Sequence, residues 1–312
     1  QYLSIFIPSN VSKLCVNALA GCQNLKKVEI PPDSNLQTIE KCAFSYSPIK
    51  EIFFPANLRE LNEDWCMDAD ELRKVIISPL NDRFMFKDDK YLVGKTDPNS
   101  EEFDIILFAR RDIEEISIPS NIKIIPRLTF CRFINLKKVE ISPNSNLQTI
   151  GSSAFFESSI EKISIPSKVS KICNDTFSGC RNLRKIEIPL DSNLQTIEKC
   201  AFMDSVIKEI YFPANLKELE KGWCCGTIKL KKIIISSLND QFMFKDDKYL
   251  VGKTDPNSKE FDIFLFACRD IQEISIPSNI KIISLFAFND CKNLRKVEIA
   301  PNSNLQTIKR CA

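Results

Sequence analysis

The feature that most constrains this chain is that it is written twice. Val11–Ala154 aligns with Val169–Ala312 at a constant offset of 158 residues, without a gap, and about 100 of the 144 aligned pairs are identical. The segment Phe84–Ser100 (FMFKDDKYLVGKTDPNS) recurs unchanged as Phe242–Ser258. A shorter repeat runs inside each half. Its apolar strands end at Ile7, Ile30, Phe54, Ile77, Ile118, Ile141, Ile165, Ile188, Phe212, Ile235, Ile276 and Ile299. These ends are 23 or 24 residues apart, except for two intervals of 41 that each hold one copy of the FMFKDDKYLVGK segment. The chain therefore reads as about twelve short repeats. Two of them carry an insertion of about 18 residues, expected as β-hairpins at about 81–110 and 239–268. A chain of 312 residues would ordinarily split into separately cored domains, yet no Gly/Ser run, Pro cluster or charge block marks a linker. Self-similarity at this period points to a solenoid, in which each unit buries its apolar edge only against its neighbours. Residues 1–312 are accordingly expected to form a single domain.

Each repeat opens on a strand. In Leu136-Lys-Lys-Val139-Glu-Ile141 the apolar residues alternate with charged ones, the period of a half-buried strand. Pro follows in most units, as at Pro8, Pro31, Pro55, Pro119, Pro166, Pro189, Pro213 and Pro277. It donates no ladder hydrogen bond and so ends pairing there. An Asn then recurs (Asn35, Asn57, Asn121, Asn146, Asn193, Asn215, Asn279, Asn304), suited to satisfying backbone groups in a tight turn. An Ala-Phe pair closes the unit at Ala43-Phe44, Ala154-Phe155, Ala201-Phe202 and Ala287-Phe288. Its short stretch is read as one or two helical or 3₁₀ turns whose Phe plugs the gap between coils.

These motifs carry a resemblance. The pattern LxxIxIPxNLxxIxxxAFxxCxxL, clearest in Ile160–Arg181 and Ile271–Lys292, resembles the leucine-rich repeats of BspA-like proteins, the Treponema pallidum type. The resemblance covers nearly the whole chain. It implies a right-handed, curved leucine-rich-repeat solenoid of α/β class. The parallel sheet would line the concave face, short helical turns the convex face, and two hairpins would project from the stack. It also implies a non-enzymatic protein displayed on a microbial surface and used for adhesion to host or matrix proteins. The chain departs from the pattern at Trp65-Cys66 and Trp223-Cys224, which stand where Ala-Phe is expected. Both are apolar and bulky, so the fold should tolerate them.

Composition removes most chemistry. There is no histidine, hence no Ser-His-Asp or Cys-His triad and no His-ligated metal. Seven glycines and no GxGxxG or GxxxxGK[ST] leave no phosphate-cradling loop. A net charge of +2 gives no footprint for nucleic acid, and no apolar run approaches the ~20 residues that span a bilayer. Asp88-Asp89 and Asp246-Asp247 are paired carboxylates, but Asp-Asp-Lys between strand-like runs reads as a hairpin turn. Of the 13 cysteines, Cys15/Cys173, Cys22/Cys180, Cys42/Cys200 and Cys66/Cys224 recur across the halves. The other five face Phe133, Ser153, Arg110, Asn289 and Met67. A required metal ligand or disulfide partner would not be exchanged so freely, so the thiols read as small packing hydrophobes. No cofactor, metal or catalytic residue is expected.

The outward strand positions are the candidate binding residues. They carry alternating charges on successive rungs, as at Lys27, Glu51 and Lys74, or Lys185, Glu209 and Lys232. Rungs stack about 4.8 Å apart, so these charges should neutralise one another. Phe53 and Ile76 interrupt this polar face on consecutive rungs, and Tyr211 and Ile234 do so again in the second half. Adjacent exposed apolar residues mark contact surfaces. Either the inserted hairpin folds back over them, or they form a protein-binding site present twice, with Glu51, Lys74, Glu209 and Lys232 beside them. The expected partners are proteins, reached at a cell surface or after secretion. The alternative is an intracellular scaffold or spacer, which free thiols would favour. The array also stops at Cys311-Ala312, in mid-repeat, with no polar capping unit at either end. That predicts a longer array or end-to-end contact with other chains.

Overall fold

A computed structural model describes residues 3–312 and shows a β-solenoid with two ladders along its length. The long ladder holds the strands read from the repeat, from Leu3–Phe6 and Leu25–Glu29 to Glu273–Ile276 and Lys296–Ile299. Its rungs are parallel and in register, as in Ile116 beside Val139 and Ile163 beside Ile186. The alternation dictates the burial. In Lys138–Ile141, Lys138 and Glu140 are exposed while Val139 and Ile141 are buried. A second ladder follows the Pro turn, built from two-residue strands such as Lys13–Leu14, Thr38–Ile39 and Glu60–Leu61. The recurring Asn sits between the two. Asn57 Nδ2 donates to Ser34 O of the preceding coil at 2.9 Å, and Asn215 repeats the bond to Ser192 O at 2.9 Å.

The expectation of helical or 3₁₀ turns is overturned: the described residues contain no helix. The Ala-Phe stretch is a run of turns with two left-handed residues four positions apart. Examples are Cys42 (φ 57°) with Tyr46 (φ 58°), and Ser153 (φ 56°) with Glu157 (φ 54°). This geometry divides the backbone donors. Cys42, Phe44 and Tyr46 donate to Asp64 O, Trp65 O and Met67 O of the next coil at 3.2, 2.8 and 3.0 Å. The intervening Ala43 and Ser45 donate within their own turn, to Glu40 O and Cys42 O at 3.2 and 3.1 Å. A helix would spend every N–H internally. Here half of them bind one coil to the next, so the column acts as a third line of inter-coil hydrogen bonds.

The Phe of each unit does fill the gap between coils. Phe130, Phe155, Phe177 and Phe202 stack ring on ring, with centroids 5.1, 5.6 and 5.6 Å apart and planes within 15°. The Trp-Cys departures have a structural reason. Trp65 and Trp223 stand in the coil that meets an insertion, and each turns edge-on to the Phe before it. Trp65 reaches the inserted segment, with Phe108 at 6.0 Å and its Nε1 donating to Leu107 O at 3.3 Å.

Each insertion is more than a hairpin. Phe84–Lys87, Tyr91–Gly94 and Ile105–Ala109 form an antiparallel meander, and the last strand pairs in parallel with the short strand Ile124–Ile125. Asp88 and Asp89 are its tight turn, both left-handed (φ 51° and 52°), closed by Lys90 N–H donating to Lys87 O at 2.8 Å. All four residues of Tyr91–Gly94 are buried, because this strand is covered on both faces. Leu92 faces the core of the first coils, while Tyr91 and Val93 face the core that follows. The meander thus partitions the stack; the hydrogen-bonded long ladder is interrupted there, between Lys74–Ile77 and Glu115–Ile118, and also, without an insertion, between Leu25–Glu29 and Glu51–Phe54 and between Lys185–Glu187 and Glu209–Phe212.

Asp104, 2% exposed, pins the inserted loop. It accepts Thr96 N–H at 2.9 Å, Thr96 Oγ1–H at 2.7 Å and Lys123 Nζ at 3.2 Å. Asp262 repeats the arrangement with Thr254 and Lys281. Burial pushes both carboxyls up, but the Thr and Lys donors outweigh it and hold them below the ordinary value. A carboxyl whose folded pKa is depressed stabilises the fold above its unfolded value and loses that contribution as pH falls through the folded value. The stability gap between the wild type and Asp104→Asn with Asp262→Asn should therefore be full at pH 6–7. It should shrink below about pH 4. Urea unfolding at pH 7 and pH 3 measures it, and a gap independent of pH would refute the assignment.

Candidate functional site

The long-ladder face is where the outward residues gather. The register places Glu51 beside Lys74 and Phe53 beside Ile76, and in the second half Glu209 beside Lys232 and Tyr211 beside Ile234. The four residues of each patch thus occupy two adjacent rungs on one face. Ile76 and Ile234 are 38% and 40% exposed, while Phe53 and Tyr211 are half-buried. The inserted meander joins the short ladder, on the far side of the Pro turn, and leaves both isoleucines open to solvent.

The electrostatics of the face differ from the expectation of charges neutralised rung to rung. Ion pairs run mostly along a strand, between a Lys and the Glu two residues later on the same side. Lys27–Glu29, Lys138–Glu140, Lys185–Glu187 and Lys296–Glu298 close at 2.9, 2.6, 2.8 and 2.6 Å. The Glu hydrogen bond raises the pKa of Lys138 and Lys296, and the Lys lowers that of Glu140 and Glu298. In the candidate patches the residue two positions on is Phe53, Ile76, Tyr211 or Ile234, which leaves no such partner. Among the described residues, Glu51, Lys74, Glu209 and Lys232 have no opposite charge within 4 Å. Each patch therefore presents one free acid, one free base, one aromatic ring and one isoleucine. Glu115 and Glu273 on the same face also lack an ion pair among the described residues, so what marks the two patches is the unpaired charges together with the adjoining apolar residues.

Elsewhere the described residues hold no group of three or more Cys, Asp and Glu arranged for a metal. All thirteen cysteines are free. Burial pushes the thiols of Cys180 and Cys224 up to about 12 and that of Cys131 to about 11. Five cysteines are buried and fit the reading as packing hydrophobes, six are half-buried, and Cys15 and Cys311 are exposed. No helix among the described residues is long and apolar enough to cross a membrane.

Comparisons with known proteins agree with this architecture. No curated protein matches the chain in sequence. Among solved structures, a leucine-rich-repeat protein from Eubacterium ventriosum is similar at TM-score 0.58 and 16% identity, over 98% of this chain and 74% of that one. A leucine-rich cell surface protein from Faecalibacterium prausnitzii is similar at TM-score 0.57 and 16% identity, over 95% of this chain; the chain spans 59% of that protein's length. The pneumococcal vaccine antigen PcpA is similar at TM-score 0.54 and 19% identity, over 95% of this chain and 67% of that one. At these identities the likeness is one of fold. The family model for the BspA type leucine-rich repeat region matches in six copies, over residues 1–86, 102–231 and 253–312. The chain belongs to the BspA-type leucine-rich-repeat family.

Proposed function

We propose that the chain is a non-catalytic protein-binding module, displayed at a cell surface and used for adhesion to host or matrix proteins. The observation that carries this reading is the doubled patch of free charge and open apolar surface at Glu51, Phe53, Lys74 and Ile76 and at Glu209, Tyr211, Lys232 and Ile234. The printed descriptions of two relatives of the same fold, a cell surface protein and a vaccine antigen, support the location. We read the long ladder as the concave face of a right-handed superhelix. A depression of about 620 Å³ on it, lined by Lys138, Glu140, Lys162 and Glu187, supports the concavity. A solenoid face of this kind spreads recognition over many weak contacts.

The test is a pull-down of host-cell and matrix proteins with the folded chain, repeated with Phe53→Ser and Tyr211→Ser together. Any partner held by the patches is lost from the variant, while the melting temperature falls by only a few degrees. Retention of every partner would overturn the reading. A second reading, an intracellular scaffold, is favoured by the thirteen free thiols, since cytosolic conditions keep thiols reduced. Antibody labelling of intact cells separates the two: labelling supports display, and labelling only after permeabilisation supports the scaffold.

A further inference from the structure

The two halves have diverged most where a turn column meets the coil beyond the insertion, and there the second half has acquired a pocket. In the first half, the Asp64 side chain is 3% exposed and lies between Arg127 Nη1 at 3.6 Å and Lys41 Nζ at 4.0 Å. The space left there is about 50 Å³, walled by Trp65, Leu107, Leu128 and Arg127. In the second half both members of the main ion pair are gone: Gly222 stands for Asp64 and Leu285 for Arg127. A cavity of about 430 Å³ opens in their place. Its floor is apolar: Leu219, Ile263, Leu265 and Leu285 are half-buried and Trp223 is buried.

The rim has changed with the floor. Lys221 replaces Glu63 and Lys309 replaces Gly151, while Lys199 keeps the place of Lys41. None of the three lysines has a carboxylate within 4 Å among the described residues. Of the two rim carboxylates, Glu220 is already engaged, accepting the Lys199 backbone N–H at 3.1 Å. The result is a concave apolar floor under a rim with more free cations than free anions. The volume lies in the range of small-molecule sites, and the polar groups are few and on one side.

We infer that this pocket is a binding site for a small amphiphilic anion, an aromatic or branched apolar body bearing a carboxylate or sulfonate. The body fills the space vacated by Asp64 and Arg127 in the other half, and the acid group meets Lys221 and Lys309. The site is distinct from the long-ladder patches and stands or falls separately from them.

The duplication supplies the controls. Anilinonaphthalene sulfonate, whose fluorescence rises in apolar surroundings, is titrated into the intact chain. The wild type should show one saturable site. Gly222→Asp with Leu285→Arg, which restores the first half's residues, should abolish it. The reverse change, Asp64→Gly with Arg127→Leu, opens the space but leaves Glu63 and Gly151 where the two lysines stand, so it should add no second site of equal affinity. Lys221→Glu with Lys309→Glu alters only exposed side chains and should weaken binding about tenfold or more. This last variant decides the matter if the filled variant does not fold. The inference is overturned if no saturable site exists, if binding survives filling in a folded variant, or if charge reversal leaves the affinity unchanged.

Discussion

Phe177→Ala should cost about 4 kcal/mol, the usual range for emptying a buried Phe site. Phe177 is fully buried and lies 5.6 Å from both Phe155 and Phe202, with planes at 15° and 6°. Its loss opens a void in the ring stack between coils that the two ladders and the turn column otherwise hold in register. The carbonyls of this column are also committed across the coils, as in Phe155 N–H donating to Thr176 O at 3.0 Å. In a chain of this size the melting temperature should fall by roughly 6 °C. Phe6→Ala is the control: Phe6 is 59% exposed, and its removal should change stability by no more than about 0.5 kcal/mol. Calorimetry of the two variants checks the pair. A Phe177→Ala variant within about 1 kcal/mol of the wild type would mean that the stacked rings are not the spine of the solenoid.

The second large effect lies at a buried arginine whose counter-charges differ between the halves. Arg111 is held by Asp68 at 2.9 Å and Asp70 at 3.0 Å, the latter through its Nε. Its equivalent, Arg269, is 5% exposed, faces Gly226 and Ile228 instead, and leaves its Nε with no hydrogen-bond partner. It keeps Ala287 O at 3.2 Å, Cys291 Sγ at 3.7 Å and the Phe266 ring at 4.5 Å, with the Cys224 thiol also beside it and no carboxylate within 4 Å among the described residues. A buried polar group without a partner is costly, and a hydrogen bond to a charged group contributes about 1.5–3 kcal/mol. Ile228 is 53% exposed, so Ile228→Asp restores the missing Nε partner at little packing cost. Asp70 is itself 71% exposed, and solvent screening trims the expected gain to about 1–2 kcal/mol. Position 226 is the wrong place to repair, since a Cβ there would collide with Asp204. In the first half, Asp68→Gly breaks a pair whose side chains are both 15% exposed and should cost about 3 kcal/mol. Chemical denaturation of the two variants reads opposite signs. Two destabilised variants would contradict the view that Arg269 is an arginine left without its partners.

The rungs were legible because two strong signals coincide. Period-2 alternation sets the buried face, and Pro ends the strand at a fixed position. The long strands therefore lie where Ile30, Phe54, Ile118 and Ile165 place their ends. The turn column is not legible in the sequence because many of its left-handed positions hold residues with no such preference: Cys42, Tyr46, Leu128 and Phe286 all have φ near 60°. At Gly21, Gly179, Gly222 and Gly226, and at Asn17, Asp64, Asp68, Asp175, Asp204 and Asp290, the residue type does favour the conformation. The cost is offset by hydrogen bonds to the neighbouring coil, which a single repeat read alone does not display. The Asp-Asp-Lys turn makes the hairpin of the insertion legible. Its third strand, Ile105–Ala109, belongs equally to the short ladder, a pairing set by where the next coil lies. On the candidate face, positions were legible and partners were not. The sequence shows Glu51 and Lys74 on adjacent rungs, and the register confirms it, but their side chains do not close to within 4 Å and Phe53 and Ile76 supply no partner along the strand.

The central claim is the proposal that the chain presents one binding patch twice, six rungs apart along the stack. The most direct measurement is equilibrium binding to an immobilised partner identified by pull-down. It compares the wild type with Ile76→Lys alone, Ile234→Lys alone and both together. The two isoleucines are open, so folding should be unaffected in all three. Either single change should remove the avidity of two linked contacts and weaken binding on the order of a hundredfold. The double change should abolish it. Binding by the double variant equal to that of the wild type, with the fold intact, would contradict the claim.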